Sequence, residues 1–302
     1  MSNRLKKMIT NPYLTLMYIC EKPPFNMISD KKYLEIFFRA YQGYRLDLKA
    51  PVTFNEKIQW LKLYDRKPIY TELSDKYLVR DYISRTIGEQ YLIPSLGVWT
   101  DANDIDFDKL PNQFVLKCNH DSGSIVVCTD KGNFDRAKAI HKLNRALHTD
   151  YYWHGREYNY KKIDRRIIAE EYISDDNSDQ LTDYKFFCFD GEPRFIQVDV
   201  DRFTNHVRNY YDTDWKFIDV TYGCKNDANR EVKKPLNFDL MIHLARQLSQ
   251  NIPHVRVDFY EVAGKVYFGE LTFHHGGGAM RLRPFQYDEL WGGYLELPEK
   301  RI

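Results

Sequence analysis

Two strand-like segments near the end of the chain carry an arginine and two carboxylates at alternating positions. Arg256 and Asp258 lie two residues apart in one segment, and Glu270 and Thr272 lie two residues apart in the next. Side chains two residues apart on a strand share a face, so a connecting turn with an odd number of residues would bring all four together. Two converging carboxylates form an oxygen-rich site suited to Mg²⁺ and substrate phosphates, and Arg256 beside them would neutralise a phosphoryl group. The alternative interpretation is an exposed charged face with an Arg–Asp pair.

A lysine and a loop of small polar residues lie between two further strand-like runs. Lys117 is near the end of Phe114–Cys118, and the loop Asn119–Ser124 precedes Ile125–Thr129. The small residues at the centre of the loop are Ser122, Gly123 and Ser124. Such residues let backbone N–H groups approach phosphate oxygens, and a lysine supplies a point charge. The Walker motif G-x-x-x-x-G-K-[ST] is absent, and a hairpin turn with a surface lysine is the alternative.

A pair of glutamates interrupts the apolar stretch Ile167–Ile173. As a hinge, this segment would bind a purine edge through its backbone and ribose hydroxyls through Glu170 or Glu171. The alternative is a strand edge with two solvated glutamates.

Lys76 follows Ser74, which the sequence predicts to be the N-cap of a helix from Asp75 to Ile87. The helix dipole favours Asp75 at this end and disfavours Lys76, which gives slight support for an external anion. The alternative is an ordinary helix start.

Helices and antiparallel strands are predicted to position these residues. Thr53 and Glu56 form a capping box at the start of a helix that continues through Tyr64. Further helices are predicted over Tyr33–Gln42, Asp135–His148 and Asp239–Gln250. Strands are predicted over Tyr184–Phe189, Arg194–Val200, His206–Tyr211, His254–Tyr260 and Lys265–Thr272, followed by a Gly-rich loop and an irregular tail. Consecutive hairpins among helices indicate an α+β fold with largely antiparallel sheets.

The composition excludes several classes of protein. The chain has 302 residues with 44 Lys+Arg against 43 Asp+Glu, and this balance argues against a nucleic-acid partner or a polybasic membrane anchor. The five scattered cysteines are typical of reduced cytosolic thiols rather than of a disulfide framework or a zinc site. No apolar run reaches membrane-spanning length, so we expect no integral membrane segment and a cytoplasmic protein.

The order of these segments resembles the ATP-grasp superfamily and, more closely, the TupA-like ATP-grasp family of bacterial surface-polysaccharide clusters. The resembling stretches are Thr53–Trp60, Ser74–Arg80, Leu116–His120, Asp183–Gly191, Val257–Tyr260 and Gly269–Phe273. The resemblance implies an ATP-grasp fold, in which two α+β subdomains with antiparallel sheets clasp ATP. It divides the chain into a helical N-terminal region (1–73), a first subdomain with the phosphate-binding loop (74–170) and a second with the metal site and acceptor loop (171–302).

The resemblance also implies an activity and a role for each motif. Ligases of this superfamily transfer the γ-phosphate of ATP to a carboxylate, and an amine then displaces the phosphate to form an amide. By similarity, Lys76 and Lys117 would contact ATP phosphates, and the loop Asn119–Ser124 would cover them. The adenosine contacts would come from Glu170, Glu171, Tyr172 and Ile173, with Lys185 as a weaker phosphate or ribose candidate. One or two Mg²⁺ ions would be held by Asp258, Glu270 and Thr272, and Arg256 would stabilise the phosphoryl group. The superfamily usually has Asn at the position of Thr272, whose hydroxyl is the poorer ligand.

The acceptor site implied by the resemblance is less defined. The candidate substrate residues are His120, His274, His275, Arg281 and Arg283. The expected substrates are a small-molecule or nucleotide-sugar acid, such as a sugar acid of a capsule or cell-wall glycan precursor, and an amine.

Three other functions remain open at the level of sequence. Asp199-Val-Asp201 and Asp212-Thr-Asp214 fit the D-x-D pattern of many glycosyltransferases, although this tripeptide is common by chance. A small-molecule or protein kinase would use the same lysines and acids as a ligase. A carbohydrate-binding scaffold is compatible with the 23 Tyr, 18 Phe and 5 Trp residues.

Overall fold

The computed structural model describes residues 10–174, 181–200, 205–230 and 232–300. Eight α-helices lie in these residues: α1 Pro12–Cys20, α2 Asp30–Gln42, α3 Phe54–Tyr64, α4 Ile69–Ser74, α5 Val79–Thr86, α6 Arg136–Leu147, α7 Phe238–Leu248 and α8 Gln286–Tyr294. Side chains cap the starts of the first three, and the predicted capping box of Thr53 and Glu56 is present on α3. No helix in these described ranges combines the length and apolarity needed to cross a membrane.

Three antiparallel sheets accompany the helices in the described ranges. The first, in the order β1-β4-β2-β3, contains Ser95–Trp99, Ile167–Glu171, Phe114–Cys118 and Val126–Cys128. The second, in the order β11-β10-β5-β6-β7-β8, contains Lys265–Thr272, His254–Val262, Asp183–Phe189, Glu192–Val200, Val207–Asp212 and Phe217–Ile218. The third pairs β12, Leu282–Arg283, with β9, Thr221–Tyr222. The predicted α+β class with antiparallel sheets is confirmed, whereas the predicted subdomain boundaries at residues 73 and 170 stay predictions.

The two faces of the six-stranded sheet have different coverings. One face packs against α4, α5 and α7 through Phe186, Val255 and Val257. The opposite face is aromatic at one end, where Phe187 and Phe195 pack against α2, α3 and α8. Toward the other end of the same face the side chains are charged, at Lys185, Arg208 and Arg256. The four-stranded sheet has its own core with α6.

The structure corrects two helix predictions. Ser74 ends α4 instead of capping the next helix, and Lys76 lies in the turn between α4 and α5. The reason is Asp75, whose Oδ1 accepts hydrogen bonds from the backbone N–H groups of Tyr77 (2.8 Å) and Leu78 (3.3 Å) and so closes a turn before α5 begins. The tail predicted to be irregular contains α8, which buries Trp291.

A β-bulge sets the register of the hairpin that carries the predicted metal residues. The turn between β10 and β11 has two residues, Ala263 and Gly264, which is an even number. The register then shifts between Asp258 and Phe259, so Gly269 has no partner on β10 and Asp258 pairs with Glu270. The bulge supplies the odd residue that the sequence analysis required of the turn.

Candidate active site

A polar cavity of about 680 Å³ lies over the charged half of the six-stranded sheet. The sheet contributes Lys185, Gln197, Asp199, Arg208, Arg256 and Glu270 to its wall. Loops and the N-terminal helices contribute Glu21, Lys76, Asp121, Tyr151, Glu157 and Tyr160. The cavity therefore combines residues from both ends of the described chain.

Arg256 is the centre of a buried charge network in this cavity. Its Nε and Nη2 donate to the two oxygens of Asp258 at 2.6 Å each, and Nη2 also donates to Glu270 Oε1 at 2.7 Å. Lys185 Nζ adds a bond of 2.9 Å to Asp258 and lies 3.0 Å from Asp183. Burial alone would raise the pKa of Glu270, but Arg256, Lys76 and Lys185 hold it at about 2. Glu270 is therefore ionised across the physiological pH range.

The loop between β2 and β3 closes one side of the cavity. Lys76 Nζ donates to the carbonyl oxygen of Asp121 at 2.6 Å, which ties the turn after α4 to this loop. Ser124 Oγ donates to Asp121 Oδ1 and accepts from the N–H of Cys118. Gly123 has a φ of +108° and open space around it, so the loop tip leaves room for a ligand.

A second, largely apolar cavity of about 470 Å³ lies beside the first. Its apolar wall includes Ile93, Val115, Ile125, Val127, Leu181 and Tyr260. At its edge, Glu170 bonds Lys117 Nζ through Oε2 (2.6 Å) and Arg80 Nη1 through Oε1 (3.3 Å). Asp183 lines this cavity and Lys185 lines the polar one, so the two cavities meet at neighbouring same-face positions of β5.

The structure places the residues predicted from sequence in two groups around these cavities. Lys76, Ser122, Lys185, Arg256, Glu270, Thr272 and His274 line the polar cavity. Lys117, Glu170, Glu171, Tyr172 and Ile173 line the apolar cavity. Asp258 lies beneath Arg256, and Gly123 and Ser124 belong to the loop beside the polar cavity.

Four predicted substrate residues have other surroundings. His120 is buried with Nε2 at 3.2 Å from the carbonyl of Ala146, against the end of α6. His275 lies behind Arg256, with its Nδ1 at 2.6 Å from Nη1, and does not reach the cavity surface. Arg281 is exposed and donates to the carbonyl of Tyr41, and Arg283 is exposed on β12. Neither arginine lines the polar cavity.

The sequence analysis named Asp199 only as part of a D-x-D tripeptide and did not predict the polar group around it in the cavity wall. Asp199 accepts hydrogen bonds from Arg208 Nε (2.8 Å), His206 Nε2 (2.8 Å) and Gln197 Nε2 (2.9 Å). Burial opposes ionisation of Asp199, but Arg208 holds its pKa well below the usual range. The sequence did contain a pattern that could have indicated this group. Gln197 and Asp199 are two residues apart on one strand, Arg208 and Tyr210 are two residues apart on the next, and both strands are otherwise largely apolar.

The two D-x-D tripeptides have different surroundings. Asp201 lies outside the described residues, while Asp199 forms an ion pair with Arg208. Asp212 Oδ1 accepts from the backbone N–H groups of Asp214 and Lys216 and so closes a turn.

The predicted metal residues differ in how many of their oxygens are already hydrogen-bonded. Glu270 Oε1 is bonded to Arg256 and to Thr272 Oγ1, and Oε2 forms no hydrogen bond within the described ranges. Both oxygens of Asp258 are occupied by Arg256 and Lys185. Across the described residues, no group of three His, Cys, Asp or Glu side chains converges on one metal position. Glu270 and Thr272 thus fit Mg²⁺ by chemistry if substrate phosphates complete its oxygen shell, and the metal role of Asp258 stays a prediction.

Comparisons with known proteins give one family and several solved structures. The sequence model of the TupA-like ATP-grasp family matches residues 56–296. The D-alanine–D-alanine ligase from Bacillus anthracis complexed with ATP shares 17% identity at a TM-score of 0.40, over 67% of this chain and 54% of that chain. The corresponding ligase from Helicobacter pylori shares 13% identity at a TM-score of 0.44, over 80% and 69%. The D-cycloserine synthetase DcsG shares 15% identity at a TM-score of 0.40, over 80% and 70%.

The chain spans about half the length of the Bacillus anthracis ligase. A search of curated proteins finds no matching sequence.

Proposed function

The chain belongs to the TupA-like ATP-grasp family, and from this premise we propose that it is an ATP- and Mg²⁺-dependent ligase that joins a carboxylate to an amine. The observation that carries the proposal is the junction, on strand β5, of the apolar cavity with the polar cavity, whose wall includes Lys76, Lys185 and Arg256. A nucleotide also has one apolar and one charged end, since its base is flat and weakly polar and its phosphates are anionic.

ATP would lie across this junction. Adenine would fill the apolar cavity between Val127 and Tyr260, with ribose hydroxyls near Glu170 or Glu171. Lys117, held by Glu170, would meet the first phosphates. The terminal phosphates would then enter the polar cavity, where cationic side chains neutralise them: Lys76, Lys185 and Arg256.

The reaction needs no nucleophile from the protein. A carboxylate oxygen of the substrate attacks the γ-phosphorus, the bond from that phosphorus to the bridging oxygen breaks, and ADP leaves. The amine nitrogen then attacks the acyl carbon, the bond to the phosphate oxygen breaks, phosphate leaves, and the nitrogen loses a proton. Bound Mg²⁺, held by Glu270 and Thr272, would supply charge neutralisation. The chain supplies alignment, fixed positive charge and a cavity that excludes water from the acyl phosphate.

The acid substrate is proposed to be a sugar acid of a capsule or cell-wall glycan precursor. This part rests on the surface-polysaccharide context of the family. The size of the polar cavity, about 680 Å³, is compatible with a monosaccharide acid beside the terminal phosphates.

The experiment is ADP and phosphate release screened over uronic acids, amino acids and amino sugars. A ligase releases phosphate only when both an acid and an amine are present, whereas a stable phosphorylated acceptor would indicate a kinase instead. Nucleotide-sugar turnover without ATP would indicate a glycosyltransferase.

Two variants test the assigned roles in the same assay. Glu270→Gln removes the charge but keeps the shape, and we expect kcat to fall about 100-fold. Lys117→Met should raise the KM for ATP about 10-fold with little change in the KM for the acid. Glu89→Gln is the matched control, since Glu89 is exposed and lines neither cavity. Unchanged turnover in Glu270→Gln would contradict the metal role.

A further inference from the structure

One row of side chains runs across the charged face of the six-stranded sheet. Asp258 on β10 pairs with Glu270 on β11 and with Lys185 on β5. The row continues from Lys185 to Gln197 on β6 and from Gln197 to Tyr210 on β7. Because neighbouring strands lie about 4.8 Å apart, the row is about 19 Å long. It therefore gives a scale for positions along the floor of the polar cavity.

The proposed reaction uses only part of this floor. The metal and the terminal phosphates are assigned to side chains of β11, β10 and β5. The next two strands, β6 and β7, also line the cavity, and they do so through three polar residues: Gln197, Asp199 and Arg208. This part of the floor extends to about 10 Å beyond Lys185, which is two strand spacings. A bound acid can therefore reach it with one end while its carboxylate reacts over β5.

Arg208 is held in a fixed orientation in this part of the floor. Its Nε donates to Asp199 Oδ1 (2.8 Å), and its Nη1 donates to the carbonyl of Tyr222 (3.0 Å). The Tyr210 hydroxyl is near the same guanidinium, but it donates to Gln197 Oε1 (3.0 Å). Within the described ranges these bonds of the arginine use Nε and Nη1, so the two N–H groups of Nη2 are available to a ligand in the cavity.

Asp199 orients this arginine rather than the ligand. Its Oδ1 accepts from Arg208 and from His206 Nε2 (2.8 Å), and its Oδ2 accepts from Gln197 Nε2 (2.9 Å). A buried ion pair adds little stability compared with apolar side chains of similar size, so its position in a cavity wall favours a role toward a ligand. The N–H groups of an arginine match the oxygens of a carboxylate or a phosphate. We therefore expect an oxyanion at this end of the cavity.

Arg208 lies away from the proposed ATP site. In the sheet order, β10 and β11 are on one side of β5, and Arg208 on β7 is two strands away on the other side. It is also two residues along β7 from Tyr210, so the Cα atoms of Lys185 and Arg208 are about 12 Å apart. No single phosphate or carboxylate spans that separation. The oxyanion at Arg208 is therefore a second group, at the other end of a molecule whose first group reacts near Lys185.

We propose that Arg208, oriented by Asp199, binds a second oxyanion of the acid substrate. This assignment rests on the proposed ligase function and names its acid by class: a sugar acid that carries a phosphate or a second carboxylate at the end remote from the reacting carboxylate. Arg208 thus takes the role for which the sequence suggested Arg281 and Arg283, neither of which lines the polar cavity. It is a positioning residue, which selects and aligns the acid without touching the reacting atoms.

The test is a binding experiment that does not depend on turnover. Calorimetry at pH 7 uses the full chain with Mg²⁺ and adenylyl imidodiphosphate, so that nucleotide phosphates fill the positions near Arg256. Three acids carry a second oxyanion: glucuronic acid 1-phosphate, UDP-glucuronic acid and glucaric acid. The first two are compared with methyl glucuronide and the third with gluconic acid, which each carry one carboxylate only. The variants are Arg208→Gln and Arg208→Lys. The control is Arg136→Gln, because Arg136 also pairs with an aspartate, Asp108, but at an exposed site that lines neither cavity.

The expected result is a preference for the second oxyanion that depends on Arg208. The unaltered protein and Arg136→Gln should bind at least one doubly anionic acid about 10-fold or more tightly than its partner, which is about 1.4 kcal/mol. Arg208→Gln should abolish this preference, while the affinities for the singly charged acid and for the nucleotide stay unchanged. If circular dichroism shows that Arg208→Gln does not fold, Arg208→Lys decides: it keeps the charge beside Asp199 but has no planar fork, so the preference should fall to about half or less.

Three results would overturn the proposal. They are no preference for any doubly anionic acid in the unaltered protein, a preference that persists in the folded Arg208 variant, and an equal loss of affinity for both members of a pair. The phosphate-release assay tests the ligase function separately. Turnover of a singly charged acid that is insensitive to Arg208→Gln would leave the ligase and remove this subsite. A preference lost in Arg208→Gln, without any phosphate release that depends on acid and amine, would keep the subsite and remove the ligase.

Discussion

Arg256 illustrates how single residues hold the centre of the site. Its guanidinium is buried and bonds both oxygens of Asp258 and one of Glu270, while Lys185 bonds Asp258 from the side. Each of these charges is stable in the interior only because of the others. The network thus holds Arg256 and Lys185 in fixed positions at the cavity wall before any substrate arrives.

Removing one member of this network should therefore reduce stability as well as activity. Asp258→Ala removes the carboxylate that Arg256 and Lys185 bond, so both cations stay buried without it. We expect a loss of about 3–5 kcal/mol in the free energy of unfolding. Asp214→Ala is the matched control, because Asp214 forms an ion pair with Lys216 in which both side chains are more than 70% exposed. That variant should lose less than about 1 kcal/mol. Urea denaturation checks both values, and equal losses would show that the buried network is not coupled in this way.

At the scale of elements, most of the strands and their faces could be predicted, but their register could not. The strand Phe114–Cys118 has the predicted bounds, because its apolar alternation and flanking turn residues are local signals. The side chains of Arg256 and Glu270 share a face as required, but through a bulge at Gly269 rather than through the turn. A bulge depends on how two strands pair, which no single segment encodes.

The missed residues of the site have the same cause. Glu157 lies in an irregular turn, so no periodic pattern marks it, and its cationic neighbours Lys62 and His274 come from α3 and from the segment after β11. The turn at Asp75 was missed because one aspartate can either begin a helix or close a turn. The tail helix α8 was missed because Gly292 and Gly293 have low helix propensity. Burial of Trp291 stabilises the helix in spite of these two glycines.

The glycine loop after β11 depends on the N-terminal helices for its shape. Gln59 donates to the carbonyls of Gly277 (2.9 Å) and Gly278 (3.2 Å), and Lys62 donates to Gly277. Gly278 has a φ of +64°, and a Cβ there would collide with the Gln59 side chain and lie 3.2 Å from the backbone oxygen of Asn55. The loop and α3 therefore fit together only with glycine at this position.

Gly278→Ala should be much more destabilising than the same change at Gly264. Gly264 has a similar φ of +74° but nothing near its Cβ position, so its alanine variant should lose only about 1 kcal/mol from backbone strain. The collision at Gly278 should add about 1–3 kcal/mol. Thermal and urea unfolding of both variants measure the difference, and equal losses would argue against tight packing of the loop on α3.

At the scale of the whole molecule, one aromatic core joins the N-terminal helices to the six-stranded sheet and to α8. His254 lies within it on β10, with the rings of Phe54 and Phe189 at 5.0 and 4.7 Å. Its Nδ1–H donates to the carbonyl of Cys188 at 2.9 Å, and Nε2 is buried without a partner in the described chain. The N-terminal helices that line the polar cavity are thus held to the sheet through a core that contains the His254 ring.

Protonation of this ring should weaken the whole fold in acid. Burial lowers the pKa of His254 to about 3 from an ordinary value of 6.5, so the unfolded chain takes up the proton first as the pH falls. The stability due to neutral His254 is complete above pH 6.5 and is lost progressively between pH 6.5 and 3, with about 2 kcal/mol lost by pH 5. His254→Gln should remove this contribution to the pH dependence of the free energy of unfolding, even if the variant is also less stable at pH 8. His141→Gln is the control, because His141 is exposed, and it should leave the pH dependence unchanged. The measurement is the free energy of urea unfolding of the three proteins at pH 8 and pH 5. An undiminished difference between the two pH values in His254→Gln would show that the acid sensitivity arises from other groups.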